Sequence, residues 1–144
     1  MKRIAVMSIQ TYYAKQIFDK TKFYEFRKSP IKDNLLNEKI YIYSAKGDKA
    51  IIGYFRVKEI IKGNTKEILE KTGYNKRNDK NEIIAYYGNN NPKCYALYLY
   101  DVHKFKNKLS IYDMRKVFPK VNMPQYIKYI YEDNPLYKLI INLK

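Results

Sequence analysis

The run Lys39–Ala45 most constrains the fold, because it is apolar on both of its faces. Ile40 and Ile42 alternate with Tyr41 and Tyr43, and successive side chains of an extended chain point to opposite sides. A strand that is apolar on both sides must be covered on both sides. This run therefore predicts a strand inside a sheet that has other structure packed on each face.

A second strand is predicted over Ala50–Ile61, directly after the turn Lys46–Lys49. Gly47 and Asp48 in that turn are a turn-prone pair. Gly53 interrupts the strand, and a glycine in mid-strand indicates a bulge, a barrel corner, or a close approach by another segment or a ligand.

Periodicity and turn residues place the other elements. Further strands are predicted at Arg3–Ile9, Lys93–Phe105 and Leu136–Leu143, with the last one closing a barrel. A helix over Thr11–Asp19 follows the first strand. For Gln125–Glu132 we favour a helix, because Pro124 suits a first helical turn, although Ile127, Tyr129 and Tyr131 also alternate as in a strand.

Two short helices are predicted within residues 64–88, as an insertion between strands. Asn64 and Glu67 have the spacing of a capping box, and Gly73 and Gly88 are natural helix ends. The insertion forms either a wall of a binding cleft or a lid over an edge of the core. A further helical turn, Ile111–Lys116, begins after Ser110. No repeat or linker divides the chain, so we expect one domain over residues 1–144.

The charge of the chain indicates a polyanionic partner. The net charge is +15, from 29 Lys and Arg against 14 Asp and Glu, and such a surplus in a small domain is typical of nucleic-acid binding. Compositional bias of an AT-rich genome also raises the lysine content, but it does not deplete Asp and Glu. The chain contains 17 tyrosines and no tryptophan, so stacking on bases would depend on tyrosine and phenylalanine.

Several chemistries are not indicated. One cysteine, Cys94, and one histidine, His103, provide neither a disulfide nor a zinc-binding cluster, and we expect no metal and no cofactor. No nucleophile–base motif or phosphate loop is present. No apolar segment approaches the roughly 20 residues of a membrane span, and no signal-peptide pattern is visible. We therefore expect a cytoplasmic protein without a membrane partner.

The stretch Lys20–Lys28 concentrates charge at a turn that leads into a short strand. Alternation places Glu25 and Arg27 on one face, and Tyr24 and Phe26 on the other. The residues alone leave two interpretations open. They are a charged cluster at the mouth of a cleft, or a same-face ion pair on a solvated strand that contributes less than about 1 kcal/mol.

A resemblance bears on this choice. The order of a strand, a helix, the segment Lys22-Phe23-Tyr24-Glu25-Phe26-Arg27 and two more strands resembles the ASCH domain, a branch of the PUA-like superfamily whose motif is G-x-K-x-x-E-x-R. Lys20 stands at the glycine of that motif, and Met123-Pro124-Gln125 resembles a Pro-Pro-Gln near the end of related domains. The resemblance implies an α+β fold with a PUA-like β-barrel of five to six mixed strands and short flanking helices.

The resemblance implies an RNA-binding module with a basic cleft beside the first helix, which would hold single-stranded RNA or a flipped base. The candidate nucleic-acid-binding residues are Lys22, Glu25, Arg27, Tyr12, Ser44, Lys46 and Gln125. The turn that carries Ser44 and Lys46 could equally be an ordinary hairpin tip.

Two alternatives remain open. The first is a hydrolase of RNA or nucleosides, either an amidohydrolase or ribonuclease-like, in which Lys22 and Glu25 are catalytic with a hydroxyl from Tyr12, Ser44 or Ser8. A branch of ASCH proteins that hydrolyses acetylated cytidine has threonine three residues after the lysine, where this chain has Glu25. The second alternative is a basic adaptor or inhibitor that binds a protein with an acidic surface.

Overall fold

A computed structural model describes residues 1–123 and 125–144. Within them the chain forms six strands and five α-helices, which confirms the α+β class. The strands are β1 (Arg3–Gln10), β2 (Tyr24–Arg27), β3 (Lys39–Ala45), β4 (Ala50–Gly63), β5 (Cys94–Ser110) and β6 (Ile127–Tyr131). The helices are α1 (Thr11–Phe18), α2 (Thr65–Thr72), α3 (Lys80–Tyr87), α4 (Ile111–Val117) and α5 (Pro135–Ile141). Short 3-10 helices lie at Asp33–Leu35 and Tyr74–Lys76.

The strands form one mixed sheet in the order β2-β5-β4-β3-β1-β6. β1 and β3 are parallel, whereas the pairs β1–β6, β2–β5 and β3–β4 are antiparallel. The predicted barrel is wrong, because β2 and β6 remain at the two ends of this order and the sheet does not close. The strand predicted to close it, over Leu136–Leu143, is instead the helix α5.

The end of the chain departs from prediction for local physical reasons. Asn134 accepts a hydrogen bond from the amide of Leu136, and Pro135 occupies the first helical turn, so α5 has a strong helix start. The segment predicted as a helix over Gln125–Glu132 forms β6, which pairs with β1. Pairing with a free strand edge therefore outweighs the helix-start signal at Pro124, a residue that lies outside the described part of the chain.

The chain divides into two compact units. The first comprises Met1–Lys22, Glu38–Arg56 and Asp101–Lys144, and the second comprises Phe23–Asn37 and Val57–Tyr100. The strands β4 and β5 each contribute residues to both units. The expectation of a single domain over residues 1–144 stays a prediction.

The first unit covers its part of the sheet on both faces, as the two-sided pattern of β3 predicts. Ile40, Ile42, Tyr41 and Tyr43 are all buried. Residues of α4 and α5 join Tyr41 and Tyr43 in one core cluster, and α1 lies against β1 and β3. Besides Tyr41 and Tyr43, the buried members of this core cluster are Val6, Ile51, Phe105, Ile111, Met114, Val121, Ile130, Leu136 and Ile140.

The second unit has its own core, in which the helical insertion packs against aromatic residues of the sheet. Ile68 and Leu69 of α2 and Ile83 of α3 cluster with Phe26, Tyr74, Tyr87, Cys94 and Ala96. The predicted capping box is present, with Asn64 accepting from the Glu67 amide and the Glu67 carboxylate accepting from the Asn64 amide. Gly73 ends α2 in the left-handed conformation, as predicted.

Candidate functional site

The motif strand β2 carries an ion pair between a buried carboxylate and a half-buried guanidinium. In the second unit Arg27 Nη2 lies 3.1 Å from Glu25 Oε2, and the side chains are 17% and 5% exposed. Phe26, on the opposite face, is buried in the aromatic core, and Tyr24 lies 5.2 Å from the Tyr98 ring centre. The same-face geometry predicted from the sequence is confirmed, and its environment is more buried than an ordinary surface pair.

Lys22 ends the first unit and is also buried, with 6% of the residue exposed. Its Nζ lies 4.4 Å from the ring centre of Tyr13, a cation–π distance. Tyr13 in turn makes an edge contact with Tyr12, which is 58% exposed. The candidate Tyr12 is therefore accessible, and the sequence analysis missed its neighbour Tyr13, although adjacent tyrosines at the start of a helix were a visible signal.

The burial of Lys22 and Glu25 sets them apart chemically. Among Lys, Arg, Asp and Glu of the described residues, only these two are buried. Charged side chains are almost never fully buried unless they are paired, because removing charge from water costs several kcal/mol. Two of the three charged residues of the motif are therefore the two that carry this cost.

Tyr86 is a further candidate for the site, and the sequence analysis did not identify it. It lies in α3, within the second unit, and its hydroxyl makes a hydrogen bond with the Arg27 side chain. Burial raises the pKa of Tyr86 above its ordinary value of 10.0, while the Arg27 charge opposes that rise. The residue is 40% exposed, and its ring centre lies 5.0 Å from Lys28 Nζ. Only the packing of α3 brings it to Arg27, 59 positions earlier in the chain by the numbering.

In the turn between β3 and β4, Ser44 makes a hydrogen bond within the turn itself. Ser44 is fully buried, and its hydroxyl donates to Asp48 Oδ2 at 2.9 Å. Thr11 at the start of α1 donates to the Ala45 carbonyl and accepts from the Gly47 amide. Lys46 is exposed with a positive φ of 74°. The turn thus has the features of a braced hairpin tip, and anion binding by Ser44 and Lys46 stays a prediction.

The remaining candidates lie in the first unit. Gln125 is exposed, just before β6. Ser8, proposed as a possible hydroxyl donor for a hydrolase, is buried at 7% exposure, and its amide donates to the Tyr126 carbonyl. Within residues 1–123 and 125–144, no group of three or more His, Cys, Asp or Glu side chains could hold a metal ion. No helix in that part of the chain is long and apolar enough to cross a membrane.

Comparison with solved structures identifies the fold. A crystal structure of ASCH from Zymomonas mobilis superposes with a TM-score of 0.81 at 21% identity, over 97% of this chain and 95% of that one. The present chain has the ASCH fold. This confirms the predicted resemblance at the level of the fold.

Two further ASCH structures agree. A tyrosine-to-phenylalanine mutant of ASCH from Zymomonas mobilis gives a TM-score of 0.82 at 20% identity, over 99% of this chain and 100% of that one. A serine-to-alanine mutant gives 0.80 at 21% identity, over 97% of this chain and 96% of that one. No protein-family model matches the chain, and a search of curated proteins gives no match.

Proposed function

We propose that this protein is an RNA-binding module of the ASCH fold whose RNA contacts centre on Lys22, Glu25 and Arg27. The observation that carries the proposal is that Lys22 and Glu25 are the only buried Lys, Arg, Asp or Glu side chains among the described residues. A net charge of +15 supports a polyanionic ligand.

The second unit offers a way to hold a nucleotide. Glu25 and the Tyr86 hydroxyl both engage the Arg27 side chain, so the guanidinium is oriented before any ligand binds. A fixed guanidinium suits phosphate, because its planar fork can donate two parallel hydrogen bonds. The exposed part of the Tyr86 ring offers a stacking surface, and stacking on an aromatic side chain is worth roughly 1–3 kcal/mol per base.

Lys22 and Tyr12 contribute from the first unit. Lys22 adds a positive charge for a second phosphate, and the exposed Tyr12 ring adds a second aromatic surface. Such a combination of phosphate contacts and stacking favours single-stranded RNA or a base that has left its helix over a continuous duplex.

The test is a filter-binding titration of a mixed single-stranded RNA pool at two salt concentrations. Lys22→Ala/Arg27→Ala should weaken binding and lower the salt slope by about 1.4, since each phosphate contact on a single strand contributes about 0.7. Lys66→Ala/Arg115→Ala removes the same charge from exposed positions and is the matched control. Equal behaviour of the two variants would place the RNA contact elsewhere.

Two further variants protect this test from a folding artefact. Arg27→Lys retains the charge but loses the planar fork, so it should weaken binding without changing the net charge. Tyr86→Ala removes a part-exposed ring and one hydrogen bond to Arg27, so it should weaken binding without changing the net charge. Circular dichroism shows whether each variant is folded, and only folded variants enter the comparison.

The same experiment discriminates the alternatives. RNA recovered from the filters is run on a denaturing gel, and RNA that the wild type cleaves but the Lys22→Ala/Arg27→Ala variant leaves intact would identify a hydrolase. If RNA does not bind and an acidic protein binds through the same residues, the adaptor hypothesis replaces the RNA-binding one.

A further inference from the structure

The first unit contains a cavity of about 670 Å³ beside α1, a volume typical of ligand sites. Its wall is formed by α1, the β3–β4 turn, β4 and the last part of β5. The lining residues are Thr11, Lys15, Phe18, Asp19, Asp48, Ile52, Lys104, Phe105, Lys106, Asn107 and Lys108. Lys22, Glu25 and Arg27 are not among the lining residues, so this groove involves a different set of side chains.

A row of lysines forms one side of the groove. Lys104, Lys106 and Lys108 occupy alternate positions of β5 and are all exposed. Alternate residues of a strand project from the same face at intervals of about 6.8 Å. The three ammonium groups therefore form a line of positive charge along the groove.

The charge of the lining is positive overall. Lys15 from α1 joins the three lysines of β5, giving four lysines against Asp19 and Asp48. Asp48 accepts from Ser44 and lies 3.9 Å from Lys108. Within residues 1–123 and 125–144, no ion pair is found for Lys15, Lys104 or Lys106. These three ammonium groups can therefore pair with a ligand without breaking an existing ion pair.

We propose that this groove binds the sugar–phosphate backbone of a single-stranded nucleic acid. Charges in a line match a linear polyanion, whereas a single compact phosphate is usually held by converging donors such as a nest of backbone amides. Lysine acts as a point charge and contacts phosphates without reading sequence. Among the described residues no arginine lines the groove, so this part of the contact offers no bidentate recognition of a guanine edge.

The apolar part of the lining favours a nucleic acid over a bare polyanion. Phe18, Ile52 and Phe105 also line the cavity. Ile52 and Phe105 are buried, so the partly buried Phe18 provides the accessible apolar surface. Sugars and bases can contact such a surface, and an aromatic ring can stack on a base of any identity. The groove adds a sequence-independent region of contact, beyond that proposed for the motif residues.

The test compares two triple variants with equal loss of charge. Lys104→Gln/Lys106→Gln/Lys108→Gln removes the row, and Lys66→Gln/Lys93→Gln/Lys120→Gln removes three exposed lysines that do not line the groove. All six side chains are exposed, so both variants should fold. Lys15 is left unchanged, because it lies in the last turn of α1, where a positive charge stabilises the helix.

Binding to oligo(U) and oligo(dT) is measured between 50 and 200 mM salt. Loss of three contacts should lower the salt slope by about 2.1, so over this range the wild type should lose roughly 18-fold more affinity than the groove variant. The control variant should retain a slope near that of the wild type. Equal slopes for the two triple variants would overturn the proposal, since the row would then act only through net charge.

The ligand class is tested by competition. Oligo(U) and oligo(dT) should respond alike to the groove substitutions, because the contacts are to phosphates and not to the 2′-hydroxyl. Inorganic polyphosphate of matched charge should compete more weakly than either oligonucleotide. Equal competition would show a general polyanion site and overturn the assignment, and strong competition by inorganic phosphate alone would show a compact anion site instead.

The groove variant also separates this inference from the proposed function. If Lys22→Ala/Arg27→Ala leaves binding unchanged while the groove variant lowers the salt slope, the groove assignment stands and the motif assignment fails. The reverse result overturns the groove assignment and leaves the motif assignment intact.

Discussion

At the scale of single residues, Lys20 shows how a chain can depart from a family motif and keep its geometry. The amide of Thr21 donates to the Gln16 carbonyl and that of Lys20 to the Ile17 carbonyl, which is the Schellman arrangement at the end of α1. Lys20 has a φ of 60° within it. The glycine of the motif is absent, yet the left-handed turn forms, because the helix end and its hydrogen bonds stabilise it.

We expect Lys20→Gly to stabilise the protein. A non-glycine residue in the left-handed region costs about 1–2 kcal/mol, and the greater freedom of glycine in the unfolded chain offsets roughly 0.5–1 kcal/mol of that. The free energy of unfolding in urea should therefore rise by about 0.5–1 kcal/mol. Lys20→Ala retains the Cβ atom and separates the backbone effect from the loss of charge. An equal response to alanine and glycine would contradict the interpretation.

The charged motif was predictable at this scale only in part. Alternation along an extended chain was enough to place Glu25 and Arg27 on one face. It could not show that Glu25 is buried, because burial depends on which elements cover that face. Nor could it identify Tyr86, whose place beside Arg27 results from how α3 packs in the second unit.

At the scale of elements, Gly53 in the middle of β4 lies where other segments approach the strand closely. This was one of the interpretations that the sequence left open. A Cβ atom on Gly53 would lie 2.3 Å from the His103 carbonyl oxygen and 2.6 Å from the Phe18 ring. The register between β3 and β4 also shifts beside it, between Ile42 and Tyr43. The glycine thus allows α1 and β5 to approach the β4 backbone, all within the first unit.

We expect Gly53→Ala to destabilise the protein by about 1–3 kcal/mol, the usual effect of overpacking. The main obstacle is a backbone carbonyl, which cannot move aside as a flexible side chain would. Thermal or urea unfolding measures the effect. Gly88→Ala is a useful comparison, because nothing lies within 4 Å of its added Cβ and only its φ of 94° is unfavourable. In a Phe18→Ala background, Gly53→Ala should still destabilise the protein, and the absence of any cost there would contradict the role of the carbonyl.

At the end of the chain the predicted helix is a strand and the predicted strand is a helix, because the local sequence signals there are ambiguous. The segment Leu136–Leu143 has apolar residues that suit a helix as well as a strand, and Leu136 and Ile140, four residues apart, are both buried in the core. The segment of β6 carried both a proline helix signal and an alternating pattern. In each case the neighbouring structure determined whether a helix or a strand formed. The edge of β1 was free to pair with β6, and the core that contains α4 provided a surface on which α5 packs.

At the scale of the whole molecule, the high tyrosine content has a consequence at alkaline pH. Burial raises the pKa of Tyr24, Tyr41, Tyr43, Tyr74 and Tyr87 above the ordinary value of 10.0. These side chains keep their protons in the folded protein at a pH where the unfolded chain begins to lose them. Their contribution to stability is fully present below pH 10.0 and is lost as the pH rises through the higher folded values.

We therefore expect tyrosinate to appear at higher pH in the native protein than in the urea-unfolded chain, as followed by ultraviolet absorbance. The stability at alkaline pH also depends on every other group that titrates there. For that reason the absorbance titration, rather than stability alone, is the decisive measurement. Coincident titration curves for the native and unfolded chains would contradict the assigned burial.

The sequence by itself determined the two-sided cover of β3, most of the strands and helices up to α4, the Asn64 capping box and the alternation within the charged motif. These features depend on backbone periodicity and on local hydrogen bonds, which act over a few residues. Only the tertiary structure decided that the sheet stays open, that residues 127–131 pair as a strand while Pro135–Ile141 forms a helix, and that Lys22 and Glu25 are buried. It also brought Tyr86 to Arg27 and α1 to the lysine row of β5. Burial and long-range contact depend on which distant surfaces meet, and no local pattern contains that information.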